Sequence, residues 1–442
     1  MIKFVKKNLK LIIFNLLFFI IILFIVLFSA YKFTDFVVKN YPKYSNYPQY
    51  QSYLKSLYHR IPLVNLRNDY NVKFLPNIQY EKIELRKVKL KFLDEYYTKN
   101  HEKERSHWSS WRPFHIETQK KNIILLDYLG NIYRIKDDEL SLKKNKINLS
   151  SIPSNLKDGF YLDSFILNND LFVSHKSFLE NEKCFSIRIS RAKIDYNLLT
   201  FEDFYSPAEC EKSIGGGRMQ AYNHLGKEGI ILTLSNDSKP IVDEKPQSDS
   251  SIFGKTIFID LDNKNSIIFS KGHRVAQGLF VDREKNVILS TEHGPRGGDE
   301  INKIEFKKNY GWPIASYGEQ YSFQYGETPY FKKNHEKEGL EEPIFAFVPS
   351  VGISELIKIN NEFSTHFFKD NYLVSTLNDR SLYRVKFNSS YNRLIYIEKI
   401  YIGERIRDLN YKENGHQILL AFEENSELGI MTKFNYSESI PK

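Results

Sequence analysis

The protein has 442 residues, of which 41% are hydrophobic and 15% aromatic, enough to build a core in one large β domain or two ordinary domains. Its net charge is +9 at pH 7, but apart from the N-terminus the lysines and arginines are scattered among aspartate and glutamate. No basic face is therefore indicated, and we expect no nucleic-acid partner.

The first 30 residues carry the pattern of a membrane anchor. Residues 1–10 contain four lysines, and residues 11–30 form an apolar run interrupted only by Asn15. That length matches the ~20 residues a helix needs to cross a bilayer. Lysines before the run predict a cytoplasmic segment at 1–10, a transmembrane anchor at 11–30 and a periplasmic or otherwise extracytoplasmic main domain. A cleaved signal peptide is the alternative, but Phe28 stands where a small residue would be needed before Ala30.

The next segment shows no sustained periodicity. Residues 31–77 are rich in tyrosine, asparagine and proline, which predicts a stalk with one short helix around 48–59. Residues 82–92 then alternate apolar and charged side chains, as a half-exposed strand does. We therefore place the main domain at 78–438.

The chain contains two cysteines, Cys184 and Cys210. In an oxidising compartment they could form a disulfide between two candidate strands, and two separate buried thiols are the alternative. The sequence shows no paired Cys or His spacing of the kind that binds a metal.

A short β-branched or Leu-rich run followed by a turn recurs six times after residue 120. The runs are centred on Leu125, Phe172, Ile231, Ile288, Val374 and Leu419. The five steps between these centres are 47, 59, 57, 86 and 45 residues, which suits four-stranded sheets with one insertion. The pattern predicts an all-β fold, a six-bladed β-propeller, with a β-sandwich or barrel as the alternative.

One long segment resembles a known protein family closely. Residues 272–318, GHRVAQGLFVDREKNVILSTEHGPRGGDEINKIEFKKNYGWPIASYG, closely resemble the glucose/sorbosone dehydrogenase family, the soluble sugar dehydrogenases that depend on pyrroloquinoline quinone (PQQ). Shorter similarities follow in family order at 215–219, 247–260, 347–356, 380–385 and 405–409. The resemblance covers about residues 120–435, and it implies a six-bladed propeller with PQQ at the mouth of the central channel.

The resemblance implies roles for three arginines. PQQ carries three carboxylates, and the planar guanidinium group binds carboxylates bidentately. Arg274, Arg405 and Arg407 match the family's cofactor arginines, and Arg274 would also stabilise the negative charge that develops in catalysis. Because Arg405 and Arg407 alternate along a strand, both should point to one face.

The His293-Gly294-Pro295 turn is the second implied part of the site. In the family, the residue at position 293 contacts the cofactor, and the carbonyls of Gly294 and Pro295 bind the calcium ion next to PQQ. Asp299 matches a family carboxylate in the same loop, and the glycines at 297–298 permit positive φ.

Three positions depart from the family. The histidine that removes the hydroxyl proton falls on Ile214, a lysine that contacts the cofactor falls on Asn378, and an asparagine falls on Val275. Loss of a general base commonly lowers the rate ~10²- to 10⁴-fold. The sequence identifies no replacement for this base.

Three other histidines lie near the segments that resemble the family. His175 and His224 belong to neighbouring blades, and one of them could reach the channel mouth. His273 precedes Arg274, so strand alternation should point it away from the mouth.

Three functions remain open from the sequence. The first is a membrane-anchored quinoprotein that oxidises a sugar or related small alcohol with PQQ and Ca²⁺ and passes electrons to an acceptor. The second is a catalytically degenerate propeller that binds glycans or proteins of the cell envelope. The third is a calcium-dependent hydrolase, for which only Asp299 offers a carboxylate.

Overall fold

The computed structural model describes the propeller and leaves the N-terminal region undescribed. All described residues belong to one compact unit, Asn65–Lys442. They are 83–93, 113–136, 150–152, 160–179, 181–236, 244–319, 331–363, 368 and 370–433. The predicted anchor at 11–30 and the stalk at 31–77 lie outside them. Among the residues described, no helix has the length and hydropathy needed to span a membrane.

Within these residues the chain forms six antiparallel sheets of four strands each. In chain order the strands are β1 (Ile83–Lys89), β2 (Phe114–Gln119), β3 (Asn122–Asp127), β4 (Ile132–Lys136), β5 (Ser150–Ile152), β6 (Tyr161–Leu167), β7 (Asp170–Leu179), β8 (Cys184–Lys193), β9 (Glu202–Tyr205), β10 (Gly216–His224), β11 (Lys227–Leu234), β12 (Lys255–Asp260), β13 (Ser266–Lys271), β14 (Ala276–Asp282), β15 (Val287–Glu292), β16 (Asp299–Ile304), β17 (Phe345–Phe347), β18 (Ile353–Lys358), β19 (Tyr372–Thr376), β20 (Ser381–Phe387), β21 (Leu394–Tyr401), β22 (Ile406–Tyr411), β23 (Gln417–Phe422) and β24 (Glu427–Lys433). A 3-10 helix spans Glu336–Glu338.

The sheets are the blades of a propeller. Strands β2 to β21 form blades 1 to 5 in consecutive groups of four, and β22, β23, β24 and β1 form blade 6. The six runs recognised in the sequence are the second strands of the blades, namely β3, β7, β11, β15, β19 and β23. These strands are packed on both faces, and β3, β15 and β19 are buried at every position. The predicted all-β, six-bladed propeller is confirmed, and the long step reflects the 305–344 insertion between β16 and β17.

The first strand of each blade lines the central channel, and these inner strands all begin at the same face. Neighbouring inner strands touch through residues near their starts. The Ile116 N–H donates to Asp408 Oδ2 over 2.7 Å, and Ser354 Oγ donates to the Arg407 carbonyl over 2.7 Å. We call the face where the inner strands begin and the second strands end the mouth face.

A glycine permits the closest of these approaches. Gly217, in the second position of β10, has a φ of +85°, and a Cβ there would lie 2.6 Å from Leu162 Cβ on β6. A side chain would therefore push blades 2 and 3 apart, which explains part of the glycine run at 215–217.

The N-terminal strand closes the ring. β1, predicted as a strand at 82–92, pairs antiparallel with β24, with Lys89 opposite Glu427. Leu85 packs against the apolar cluster between blades 5 and 6, and Val88 packs against the cluster between blades 6 and 1. The last blade is thus completed by the first strand of the propeller.

Cys184 and Cys210 form a disulfide, so the first of the two alternatives for these residues is the one observed. It joins the start of β8 to the segment before blade 3. Directly beside it, the backbone groups of Phe185 and Glu211 exchange two hydrogen bonds, of 2.8 and 2.9 Å.

Candidate functional site

The residues that match the family's cofactor site lie together on the mouth face. Arg274 precedes β14, Arg405 and Arg407 stand at the start of β22, and the 293–299 turn joins β15 to β16. A hydrogen bond links the arginines of blade 6 to blade 4. Arg407 Nη1 donates to Gln277 Oε1 of β14 over 2.8 Å.

Arg405 and Arg407 share one buried carboxylate. Arg405 Nε donates to Glu423 Oε1 over 2.8 Å, and Arg407 Nε donates to Glu423 Oε2 over 2.7 Å. Burial alone would raise the pKa of Glu423, but the charges of Arg407 and Arg405 outweigh it and the pKa is lowered. Both guanidinium groups therefore point to one face, as their alternation predicts, and Glu423 holds them in place.

Arg274 is held by the turn and by a tryptophan. Its Nη1 donates to the carbonyl oxygens of His293 and Gly294, both over 3.0 Å. Its guanidinium lies 5.3 Å from the centre of the Trp312 ring. Trp312 is buried, and its Nε1 donates to the Asn236 carbonyl over 3.1 Å. The tryptophan thus acts as the platform under Arg274.

Asp299 organises the 293–299 turn. Its Oδ1 accepts the Gly294 N–H, and its Oδ2 accepts the N–H groups of 351–353 over 2.7 to 3.0 Å. A Cβ at Gly294 would lie 2.2 Å from the Gly298 carbonyl oxygen, and the glycines at 297–298 have positive φ as expected. Because both of its oxygens accept backbone N–H groups, Asp299 ties the turn to β18.

His293 presents one ring nitrogen as an acceptor. Its Nε2 lies 2.6 Å from the Ile353 carbonyl, which can only accept, so Nε2 carries the proton. Burial lowers the pKa of His293, and Arg407 and Arg274 lower it further against the pull of Asp299. The imidazole is therefore neutral near pH 7, and its Nδ1 has no hydrogen-bond partner among the described residues.

The residues as placed do not fit a calcium ion. The Gly294 carbonyl accepts from the positively charged Arg274, and both oxygens of Asp299 accept backbone N–H groups. In the part of the chain that the structure describes, no three His, Cys, Asp or Glu side chains are grouped to hold a metal. Calcium at Gly294 and Pro295 therefore stays a prediction that would require Arg274 to move.

The same residues do fit an anion that carries carboxylates. Arg274 has no ion-pair partner among the described residues, and Glu423 is shared by the other two arginines. The Nη2 groups of Arg274 and Arg407 make no hydrogen bond within the described part of the protein. These donors can bind the carboxylates of a ligand such as PQQ.

The three departures from the family have different surroundings. Ile214, in the position of the family base, is only 3% exposed and packs in an apolar cluster with Phe172 and Met219. The Val275 carbonyl accepts the His293 N–H over 2.8 Å, and Asn378 lies in the β19–β20 turn. The structure thus places no proton acceptor at position 214.

The three other histidines considered from the sequence contact other partners. His175 lies behind the inner strand of blade 2, 3.0 Å from Ser190 Oγ, and burial lowers its pKa to about 4. His224 ends β10 at the opposite face and packs among phenylalanines. His273 Nδ1 lies 2.6 Å from Glu292 Oε1, and its ring stacks on Tyr310. None of these three histidines serves the site.

A cluster of polar side chains that the sequence did not reveal lies in the channel just below Arg274, Arg405 and Arg407. At its centre is Arg218, which is buried. Its guanidinium contacts Asp163 Oδ1 at 3.0 Å, Glu355 Oε2 at 3.0 Å, Asp408 Oδ1 at 3.2 Å, His115 Nδ1 at 3.1 Å and the Gln277 carbonyl at 2.7 Å. We call these six residues the Arg218 layer. Each comes from a different inner strand, so one guanidinium ties all six blades together.

The Arg218 layer has more carboxyl groups than one guanidinium can neutralise. Burial raises the pKa of Asp163 to about 7 and that of Glu355 to about 8, although Arg218 opposes both shifts. A cavity of about 160 Å³ lies against the layer, and Glu117 lines it. Burial also raises the pKa of Glu117 well above its usual range. The layer therefore holds protons at neutral pH.

Three comparisons with known proteins bear on this site. Residues 154–430 match the family profile described as Glucose / Sorbosone dehydrogenase. An uncharacterized protein of Synechocystis is 28% identical over 211 residues, 48% of this chain and 47% of that protein. The aldose sugar dehydrogenase YliI of Escherichia coli is 31% identical over 205 residues, 46% of this chain and 50% of that protein.

The chain thus spans about half the length of these curated relatives. Among solved structures, the PQQ-bound aldose sugar dehydrogenase of Streptomyces coelicolor superposes with a TM-score of 0.54 and 15% identity. The match covers 74% of this chain and 94% of that one. At that level of identity the likeness supports the fold.

Proposed function

Because the chain belongs to the glucose/sorbosone dehydrogenase family, we propose that its channel mouth binds PQQ and that it oxidises a sugar or related small alcohol there. The observation that carries the proposal is the convergence of Arg274, Arg405 and Arg407 at one end of the channel. Two of these arginines are fixed by the buried Glu423, and the Nη2 donors of Arg274 and Arg407 have no partner among the described residues.

The chemistry divides between the cofactor and the chain. PQQ, when bound, supplies an ortho-quinone that accepts the hydride from the carbinol carbon. Arg274 and Arg407 orient the carboxylates through Nη2, and Trp312 keeps Arg274 in position. The Arg218 layer forms a polar floor beneath them.

The proton of the substrate hydroxyl needs an acceptor, and we assign it to His293 Nδ1. This nitrogen is unprotonated because the Ile353 carbonyl fixes the proton on Nε2. The nearby Asp299 stabilises the imidazolium that forms, since its charge raises the pKa of His293. His293→Ala should lower turnover at saturating PQQ by ~10²-fold or more.

Titration of the purified full-length chain with PQQ tests the proposal, followed by cofactor absorbance and melting temperature. A ligand that binds the folded state raises that temperature. We expect saturable binding that weakens ~10- to 100-fold in Arg407→Gln, since a charged hydrogen bond contributes about 1.5–3 kcal/mol. Arg393→Gln, on the exposed surface of blade 5, is the matched control. Lack of binding by a folded chain would rule the proposal out. Repeating the titration with Ca²⁺ and with a chelator tests the calcium prediction.

A second function is favoured by one observation, the burial of Ile214 in the core where the family has its base. In this case the propeller binds a glycan or protein of the cell envelope without turnover. PQQ-dependent dye reduction with a panel of aldoses and alcohols separates the two functions. Reduction that is lost in His293→Ala supports the dehydrogenase, and PQQ binding without reduction supports the binding module.

We also propose that the propeller is exported and tethered by residues 11–30. The disulfide Cys184–Cys210 supports this, because such bonds persist in oxidising compartments. Electrons would then pass to an acceptor in the membrane or periplasm. Retention of the chain in carbonate-washed membranes, with the propeller open to external protease, is the expected result. Release by carbonate would contradict the anchor.

A further inference from the structure

Four aromatic rings form a continuous row beside the channel mouth. Tyr128 stacks on Phe160 with 4.8 Å between ring centres and 20° between planes. Phe160 lies 6.4 Å from Phe185, which lies 5.1 Å from Phe178. We call these four residues the aromatic shelf.

Two rings of the shelf are exposed to solvent. Phe160 is 38% and Phe178 49% exposed to solvent, whereas most large apolar side chains of the described residues are buried. The Lys176 ammonium lies 6.0 Å from the centre of the Phe160 ring and adds a polar group to its edge. Contiguous exposed apolar surface with polar neighbours commonly marks a ligand-binding surface.

The backbone holds the shelf in place. The Tyr161 N–H donates to the Tyr128 carbonyl over 3.1 Å, and the Lys176 N–H donates to the Phe160 carbonyl over 2.8 Å. Phe185 directly follows Cys184, whose disulfide secures the β7–β8 hairpin. Because the rings are held before a ligand arrives, binding costs little conformational entropy.

The shelf is continuous with the candidate site. Tyr128 follows β3, and Phe178 and Phe185 lie where β7 ends and β8 begins, so all lie on the mouth face. Burial raises the pKa of Tyr128 to about 12, and the positive charge of Arg407 opposes this rise. The inner end of the shelf thus lies on the same face as the arginines, and the shelf extends outward over blades 1 and 2.

We propose that the aromatic shelf binds successive sugar units of an oligosaccharide whose terminal unit enters the channel mouth. A sugar ring has a face of C–H groups that packs on an aromatic ring, while its edge hydroxyls bind neighbouring polar groups. The row offers more ring positions than one monosaccharide can cover. The inference rests on the proposed function, which supplies the sugar, and it narrows the substrate class to oligosaccharides.

Calorimetric titration of the full-length chain with maltotetraose, cellotetraose and glucose tests the shelf. We expect at least one tetrasaccharide to bind ~10-fold more tightly than glucose. Phe178→Ala and Phe160→Ala should each weaken the affinity for that tetrasaccharide by ~3- to 10-fold, the effect of one aromatic contact. Both should leave the affinity for glucose unchanged. Tyr401→Ala is the matched control, because Tyr401 is 54% exposed and lies on the mouth face three blades away.

The outcomes separate this inference from the proposed function. Equal affinity for both tetrasaccharides and glucose, with PQQ binding intact, would overturn the shelf and leave the dehydrogenase standing. Selective tetrasaccharide binding without PQQ binding would support the shelf and overturn the proposed dehydrogenase. Self-association or vesicle binding that Phe178→Ala abolishes, without any tetrasaccharide preference, would assign the surface to a second copy or to lipid and overturn the inference.

Discussion

Glu423 shows how a single buried charge can shape a binding site. Two arginines in one short segment would repel each other, and burial makes that repulsion stronger. Glu423 has no solvent exposure and accepts a hydrogen bond from each Nε. The outer edges of both guanidinium groups are thereby turned toward the channel mouth.

Replacing Glu423 tests this role directly. Glu423→Gln leaves two partly buried cations without their counter-charge, so we expect a loss of about 3 kcal/mol in the free energy of unfolding, the lower end of the cost of breaking a buried pair. PQQ should restore part of that stability, because its carboxylates supply the missing negative charge. Urea unfolding with and without PQQ measures both effects. Glu202→Gln breaks the exposed pair with Arg191 and should change neither value. Equal effects of the two substitutions would contradict the role given to Glu423.

At the scale of elements, the Arg218 layer makes the stability of the propeller depend on pH. The folded pKa values of Asp163 and Glu355, about 7 and about 8, lie well above those of unfolded carboxyl groups. The folded state therefore holds protons that the unfolded state has released. This contribution to stability is complete below the unfolded pKa values and is lost as pH rises through the folded ones.

We therefore expect the free energy of unfolding to fall as pH rises from about 5, just above the pKa of unfolded carboxyl groups, to about 8, the folded pKa of Glu355, and to level off above that. Asp163→Asn should flatten the decline, since it removes one of the protonated groups. Urea unfolding across this pH range measures it. Asp203→Asn, at an exposed carboxylate, is the control and should keep the slope of the original chain. A rise in stability over the same window would show that the carboxyl groups of the layer are ionised in the folded state.

The Cys184–Cys210 disulfide also stabilises the propeller. It closes a loop with a sequence separation of 26, for which a loop-entropy estimate is about 3.5 kcal/mol. A reductant should lower the melting temperature and weaken tetrasaccharide binding, because the β7–β8 hairpin carries Phe178 and Phe185. The double variant Cys184→Ser, Cys210→Ser should respond to reductant in neither measurement. An unchanged melting temperature after complete reduction would contradict the expectation.

At the scale of the whole molecule, the ring depends on β1. Leu85 and Val88 extend from opposite faces of this strand into the two clusters that flank blade 6. Because both are partly buried, Leu85→Ala and Val88→Ala should each cost about 1–2 kcal/mol, less than a fully buried residue. Both should lower the midpoint of the same unfolding transition. Glu84→Ala, at an exposed position, is the control. A separate early transition for blade 6 would show that the ring does not unfold as one unit.

The propeller could be predicted from sequence because its second strands carry a local signal. Runs such as those around Leu125 and Ile288 are apolar on both faces and bounded by turns, which marks a strand packed between two blades. The strand at 82–92 was equally visible. Its blade was not, because alternation along a strand does not say which distant strand it pairs with.

The candidate site could be predicted only in part, for a similar physical reason. Strand alternation places Arg405 and Arg407 on one face, and the glycine turn at 293–298 has a local signature. The partners of Arg218 lie on five other blades, and no local pattern connects them. Long-range contacts of this kind also include the Glu423 bridge, which spans two strands of blade 6.

The pairing of β1 with β24 has a consequence for how the protein is made. During synthesis β1 leaves the ribosome long before β24, so the nascent chain carries an unpaired strand until β24 has also been made. Such an edge invites aggregation, and charged side chains on it are a common protection. Arg86, Lys87 and Lys89 are exposed on β1 even in the finished blade. The charged side chains of β1 thus oppose aggregation of this strand until β24 pairs with it.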